Sequence, residues 1–206
     1  MQYLVSQGCD LKALSFRFIV NTYDALSLAI RPVLTTTFFE YSVPRYDKIP
    51  LIKYLIEKKG FKVKLSDGSG EIGNYETIRM PAKVLRYLID HGLDPNYSIK
   101  AFGAVIDTLL VLAIREKDVK FVEHLLKKGA DPNLNITGYA IGSAMHCVCC
   151  HDGYGTDSYA INMNILKLLL RYNGSLKNKI SGFIARFGNN PYKERLNKTP
   201  LDFLYE

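Results

Sequence analysis

Residues 107–133, DTLLVLAIREKDVKFVEHLLKKGADPN, decide how the rest of the chain is read. Val119, Val122, Leu125 and Leu126 recur at helical spacing, while Lys117, Lys120, Glu123, Lys127 and Lys128 take the opposite side. The stretch therefore predicts a helix with one packed face and one wet face. Gly129 follows two lysines, which suit the negative end of a helix dipole, and glycine accepts the left-handed conformation that ends a helix. Asp131-Pro132-Asn133 then turns the chain. Ahead of this helix, Leu110, Leu112 and Ala113 belong to a shorter one. So small a helix pair cannot bury its stripe alone, so stacked neighbours of similar sequence are expected.

Such neighbours are legible on both sides. Residues 81–96, PAKVLRYLIDHGLDPN, repeat the second helix and its turn, with Pro81 placed to start the helix. Gly60 lies 32 residues before Gly92, and Gly129 lies 37 after it, so whole units fit the spacing. Asn162 to Asn173 supplies another such helix, with Ile165, Leu166, Leu169 and Leu170 as its stripe and Gly174 as its expected terminator. Ser143 can cap the short helix ahead of it, and Thr199-Pro200-Leu201-Asp202 opens a last short helix. Met1 to Gly8 reads as the second half of a unit whose first half is missing, favouring a fragment of a longer array. The expectation is one domain over 1–206, with units at 1–8 (partial), 9–60, 61–92, 93–129, 130–174 and 175–206 (partial). Insertions are expected at 31–48 and 151–161, both emerging from one edge. Leu88, Leu125 and Leu169 are expected in one continuous core.

Residues 107–133 resemble an ankyrin repeat. Thr108, Leu110, Leu112 and Ala113 stand where that family's Thr-Pro-Leu-His-x-Ala opening has its Thr, second apolar residue and Leu-Ala. Val122, Leu125, Leu126, Gly129, Ala130, Asp131 and Asn133 fill the second helix and the Gly-Ala-Asp-x-Asn turn. Leu109 for Pro and Val111 for His depart from the pattern, whereas His146 stands at the family's His. The resemblance implies an all-α ankyrin-repeat solenoid of about six stacked helix-turn-helix units, the first and last incomplete. It also implies a non-catalytic protein-protein interaction module, such as a scaffold, an adaptor, an inhibitor or a host-directed effector. Its concave face of turns and inner helices would bind the partner. Tyr97, Lys100 and Phe102 on one tip and Asn135, Thr137 and Tyr139 on the next are the expected contact residues, held on rigid supports. Phe38, Phe39 and Tyr41 of the first insertion and Tyr154 of the second form a rival surface.

Composition bounds the remaining readings. The 206 residues are 48% hydrophobic and 23% charged, as expected of a globular chain. No uninterrupted apolar run reaches the roughly 18 residues a spanning helix needs, so membrane insertion is not expected. The four cysteines, three of them at 147, 149 and 150, do not resemble a disulfide framework, and with no export signal legible a reducing, cytoplasmic location is expected, or a host cytosol for an effector. The Asn-x-Ser/Thr triplets at Asn96, Asn135, Asn173 and Asn197 are read as chance matches. Cys147, Cys150 and His151 fall on one helical side and could give a zinc or thiol site at 146–151. The missing second ligand pair favours small buried cysteines packing a helix seam. No nucleophile, base and orienting group are legible together, so neither catalysis nor a cofactor is expected. The net charge of +7 is concentrated at 175–198, where Lys177, Lys179, Arg186, Lys193, Arg195 and Lys198 oppose only Glu194 and interleave with Phe183, Phe187 and Tyr192. Nucleic-acid or acidic-surface binding there is the alternative function.

Overall fold

The computed structural model describes residues 16–18, 21–23, 49–63, 80–101, 104–136, 142–150, 156–180 and 196–204. The expected first half-unit at 1–8, the insertion at 31–48 with Phe38, Phe39 and Tyr41, and Tyr154 of the second insertion lie outside them, as do Phe102, Thr137, Tyr139, His151 and residues 181–195. Two compact units divide between Leu93 and Asp94.

In the unit Met1–Leu93, β1 (Phe16–Phe18) pairs antiparallel with β2 (Asn21–Tyr23), Phe16 opposite Tyr23. Helix α1 (Ile49–Lys53) runs straight into a π turn, Tyr54–Lys58. The wider turn adds one residue before the terminator, so Leu55, five residues ahead of left-handed Gly60, is the buried one. Helix α2 (Ala82–Asp90) starts on Pro81 and buries Leu85, Leu88 and Ile89. The Tyr87 hydroxyl donates to Glu57 Oε1 at 2.8 Å, and Lys53 Nζ lies 5.5 Å above the Tyr87 ring, tying the two helices together. Burial and this acceptor push the Tyr87 hydroxyl up to about 12.

In the unit Asp94–Glu206, β3 (Ser98–Ala101) and β4 (Ala104–Thr108) form a hairpin with a bulge between Ile99 and Lys100. It leads into α3 (Leu109–Arg115) and α4 (Val119–Lys127), then α5 (Ala144–Cys149), α6 (Thr156–Arg171) and α7 (Pro200–Leu204). Within each pair α3 packs on α4 and α5 on α6; between pairs α3 packs on α5, α4 on α6 and α7 on α5. The result is an inner row, α3–α5–α7, and an outer row, α4–α6. Val122, Leu125, Ile165 and Leu169 are fully buried within these pairs.

Three expectations are corrected. The fold is mostly helical rather than all-α, because both tips are built from paired extended backbone: β3 with β4, and Ile136 with Gly142. Val105, Ile106 and Thr108 are β-branched residues suited to the returning limb, and pairing satisfies backbone groups that an open turn would leave to water. The outer helix α6 begins at Thr156, so residues 156–161 of the expected second insertion are helical. Its terminator is Asn173, not Gly174. Leu88, Leu125 and Leu169 each accept a hydrogen bond from the residue five further on, at 2.9, 3.0 and 2.8 Å, and the residue four further on is left-handed each time: Gly92, Gly129 and Asn173. Asparagine tolerates that conformation. Gly174 is required by space instead, since a Cβ there would meet Met145 Sδ at 2.4 Å and the Leu169 carbonyl oxygen at 2.8 Å.

Leu88, Leu125 and Leu169 are each fully buried. Leu125 and Leu169 lie on packed helices of one unit, and Leu88 belongs to the core of the other.

Candidate partner-binding surface of the second unit

Each inner helix begins where a pair of extended limbs closes, and its first turn is capped. At α3, the Val111 N–H donates to Thr108 Oγ1 at 3.2 Å. The Thr108 N–H donates to Asp107 Oδ1 at 2.9 Å, and Arg115, from the last turn of the same helix, pairs with Asp107 Oδ2. At α5 the Ser143 N–H donates to His146 Nδ1 at 3.0 Å. At α7 the Thr199 N–H and hydroxyl both donate to Asp202 Oδ2, at 2.6 and 2.9 Å. Three side chains thus serve one backbone donor. His146 and Asp202 do so from three residues ahead; at α3 that place holds Val111, and Asp107 serves from behind. Sequence reasoning named Ser143 as a cap and set Thr108 at the family's Thr, but missed Asp107, and also Asp118, whose Oδ1 accepts from the Phe121 N–H at 2.9 Å to start α4.

Burial raises the Asp107 carboxyl above its ordinary range, while Arg115 and the Thr108 N–H pull it back. Burial lowers the His146 imidazole; the Lys198 and Asn178 carbonyls work in the opposite direction. Because Nδ1 accepts from a backbone N–H, the neutral ring carries its proton on Nε2.

The outer ends of the pairs are joined by asparagines. Asn96 Nδ2 donates to the Gly129 carbonyl at 3.1 Å, and its Oδ1 accepts from the Asp131 N–H at 2.7 Å. Asn133 repeats this one unit on, donating to the Asn173 carbonyl at 2.9 Å and accepting from the Ser175 N–H at 2.7 Å. Each amide spans the left-handed terminator of the following unit and satisfies two backbone groups with both halves of one side chain. Asn96 and Asn133 stand four residues after Gly92 and Gly129, a recurrence visible in the sequence whose pairing is not.

Both expected tips are fastened at their bases. Tyr97, half-buried rather than exposed, donates its N–H to the Asp94 carbonyl at 2.9 Å just ahead of β3, where Lys100 stands opposite Val105. Half-buried Asn135 precedes Ile136, whose N–H donates to the Gly142 carbonyl. A third base has the same form: the Ile180 N–H donates to the Lys198 carbonyl at 2.9 Å and the Asn197 N–H to the Ile180 carbonyl at 3.1 Å. The basic stretch thus connects two paired limbs. Of its cations, Lys177 and Lys179 are exposed, and Lys198 Nζ lies 5.5 Å over the Phe203 ring.

The thiols occupy the inner row. Cys149 is buried, and Cys147 lies beside Arg115 and Asp107. Burial pushes both thiols up to about 11, so at neutral pH they are protonated, a poor state for a nucleophile or metal ligand. Among the described residues no three His, Cys, Asp or Glu side chains are grouped to hold a metal ion. Nor is any described helix long and apolar enough to cross a membrane.

Helix pairs that recur with a served cap, a left-handed terminator and an asparagine clamp at the same register define stacked helical repeats. Residues 107–136 match the family model of the ankyrin repeat, so the chain carries an ankyrin repeat there. Comparison with curated proteins and with solved structures returns no match. Ankyrin repeats are in general protein-binding, non-catalytic modules.

Proposed function

We propose that this chain is a non-catalytic protein-protein interaction module of about six stacked units over 1–206, working in the cytoplasm and binding a partner through the tips that carry Tyr97, Lys100, Phe102, Asn135, Thr137 and Tyr139. One observation carries the reading: Asn96 and Asn133 lock consecutive units through backbone groups right beside the tips. A contact residue on so fixed a support gives up little freedom on binding, so a few side chains can dominate affinity. Units before Asp94 and after Asn173 are part of the proposal.

Affinity capture from cells with quantitative mass spectrometry identifies the partner and then tests the surface. Tyr97→Ala, Phe102→Ala and Tyr139→Ala are each expected to weaken that partner by about 1 to 2 kcal/mol or more, the scale of interface anchors, with little change in melting temperature. Loss of the partner on replacing Phe38, Phe39, Tyr41 and Tyr154, with the three tip variants unaffected, would move the interface to the insertions.

A further inference from the structure

His146 is only 2% exposed, and its Nε2 is buried without a hydrogen-bond partner among the described residues. A buried ring nitrogen left in that state is uncommon in a core. The ring lies where three elements meet. A Cβ on Gly142 would come within 2.7 Å of its Cγ and Nδ1 and within 2.9 Å of Ile180 Cγ1, so the ring, Gly142 and Ile180 close on one point. Phe203 of α7 meets the ring edge-on, with centroids 6.4 Å apart. Both neighbours hold the base of a tip. The Gly142 carbonyl takes the Ile136 N–H at 2.6 Å, and Ile180 exchanges hydrogen bonds with Lys198 and Asn197. One imidazole therefore wedges two successive tip bases.

That wedge is built for the neutral ring. Nδ1 takes the Ser143 N–H at 3.0 Å, so a second proton, placed on Nδ1, would set two N–H groups against each other. Turning it towards the Ser143 hydroxyl, also at 3.0 Å, would still leave the Ser143 N–H without its acceptor. His146 stands in the first turn of α5, where the free backbone N–H groups oppose a cation. The charged groups on the elements packed against α5 offer no relief. On α3, Arg115 is paired with Asp107; on α7, Asp202 takes both Thr199 donors, with Lys198 just before. Helix α6 ends in Arg171, with Lys167 a turn before it, and its one acid, Asp157, is in its first turn. The limb leading to Ile180 carries Lys177 and Lys179, both exposed, and on α5 itself the thiols of Cys147 and Cys149 stay protonated. The Lys198 and Asn178 carbonyls favour a proton on the ring, and burial outweighs them.

We propose that His146 is a proton-operated latch on two tip bases: as the neutral ring it holds Ile136–Gly142 and Ile180–Lys198 closed, and as the imidazolium it leaves Gly142 and Ile180 and lets both open. That this withdraws a contact surface rests on the reading of the tips given above; the opening does not. The closed form holds the ring below its ordinary value near 6.5, and an open form restores that value. The open form therefore takes up the proton first, so the latch is shut above about pH 6.5 and opens progressively as pH falls below it. The β3–β4 tip contains no histidine and its cap is served by Asp107, so it has no such device.

Hydrogen exchange of the full chain, read by NMR at single amides and corrected for the intrinsic chemical rate at each pH, measures the opening. The Ile136, Ser143, Ile180 and Asn197 amides should exchange faster than the Leu125 amide at every pH, because the latch opens without unfolding the core. Their opening should grow about fivefold between pH 7 and 5.5, one proton permitting at most about tenfold per pH unit. The Val111 amide, capped by Thr108 beside the β3–β4 tip, should hold steady. His146→Asn, which keeps an acceptor for the Ser143 N–H, should remove the pH response at all four amides. If that variant does not fold, the profile of the unaltered chain decides by itself. Exchange at the bases no faster than at Leu125 would mean global unfolding and overturns the latch. So does opening that is flat or that declines as pH falls, the result expected if the imidazolium gripped the Lys198 and Asn178 carbonyls more tightly. An equal rise in His146→Asn overturns it as well. No partner enters the experiment, so failure of the latch leaves the tip reading standing, and failure of Tyr139→Ala to weaken a partner leaves the latch standing.

Discussion

Residues 107–136 and the unit after them, 142–175, fill the same slots with different chemistry. The first serves the backbone donor of its cap from a buried carboxylate behind the helix; the second does so from an imidazole inside it. One ends its outer helix on Gly129, in open space, and the other on Asn173 followed by a glycine wedged against Met145. The first pairs Glu123 with Lys127; the second sets Lys167 and Arg171 side by side. The family model matches the first, and the two pack as one stack. A repeat is therefore defined less by its residue types than by which backbone groups must be satisfied and which volumes filled, and several side chains can meet each demand.

The largest test of that equivalence is in the core. Leu125→Ala and Leu169→Ala, both emptying fully buried sites, should each cost roughly 2 to 5 kcal/mol in urea unfolding. A cost below about 1 kcal/mol at Leu169 alone would mean that the second unit only imitates the first.

The helix ends should respond in opposite ways. Gly174→Ala puts a methyl into Met145 and the Leu169 backbone and should cost about 1 to 3 kcal/mol, as overpacking does. Gly129→Ala meets nothing within 4 Å but carries the penalty of φ +97°, about 1 kcal/mol. Asn173→Gly should be close to neutral or slightly stabilising, because it relieves that same conformation. If Gly174→Ala proves harmless and Asn173→Gly harmful, the terminator is Gly174 after all.

A smaller effect separates the caps by pH. The folded His146 imidazole is held below its ordinary value near 6.5, so the unfolded chain takes up its proton first as pH falls. The stability it contributes is present above about pH 6.5 and is lost on descending through the folded value. The urea midpoint should fall between pH 7 and 5. His146→Asn, which keeps an acceptor for the Ser143 N–H without a titrating ring, should flatten that slope. An equal slope in both proteins would place the titration elsewhere.

Thiol labelling is the mildest probe. Alkylation at neutral pH should reach Cys150 well before Cys149, which is 1% exposed and whose thiol burial pushes up to about 11. Cys149 reacting first would show that the inner row opens.

The helical repeat was legible because its signals are local: an apolar stripe of period 3.6, a glycine past the last turn and a Ser or Thr before the first each act within one or two turns of their own residue. The family resemblance rests on that same local grammar. The tips were half legible. Their positions follow from the spacing, but whether the limbs between Tyr97 and Thr108 stay open or pair is settled by backbone partners across the hairpin. Asn173 as the terminator was obscured because Gly174 next to it answers a different requirement. That requirement comes from Met145, 29 residues earlier in the chain.

By itself the sequence determined the two helix pairs between Leu109 and Arg171 and their order, since propensity and amphipathic period are properties of neighbouring residues. The tertiary structure alone decided what those residues meet. It set Asn96 on Gly129 and Asp131, Asn133 on Asn173 and Ser175, and Asp107 between Thr108 and Arg115. It also left Leu170 open where Leu126 is covered. Which neighbour a side chain meets is a fact of packing, which no local pattern encodes.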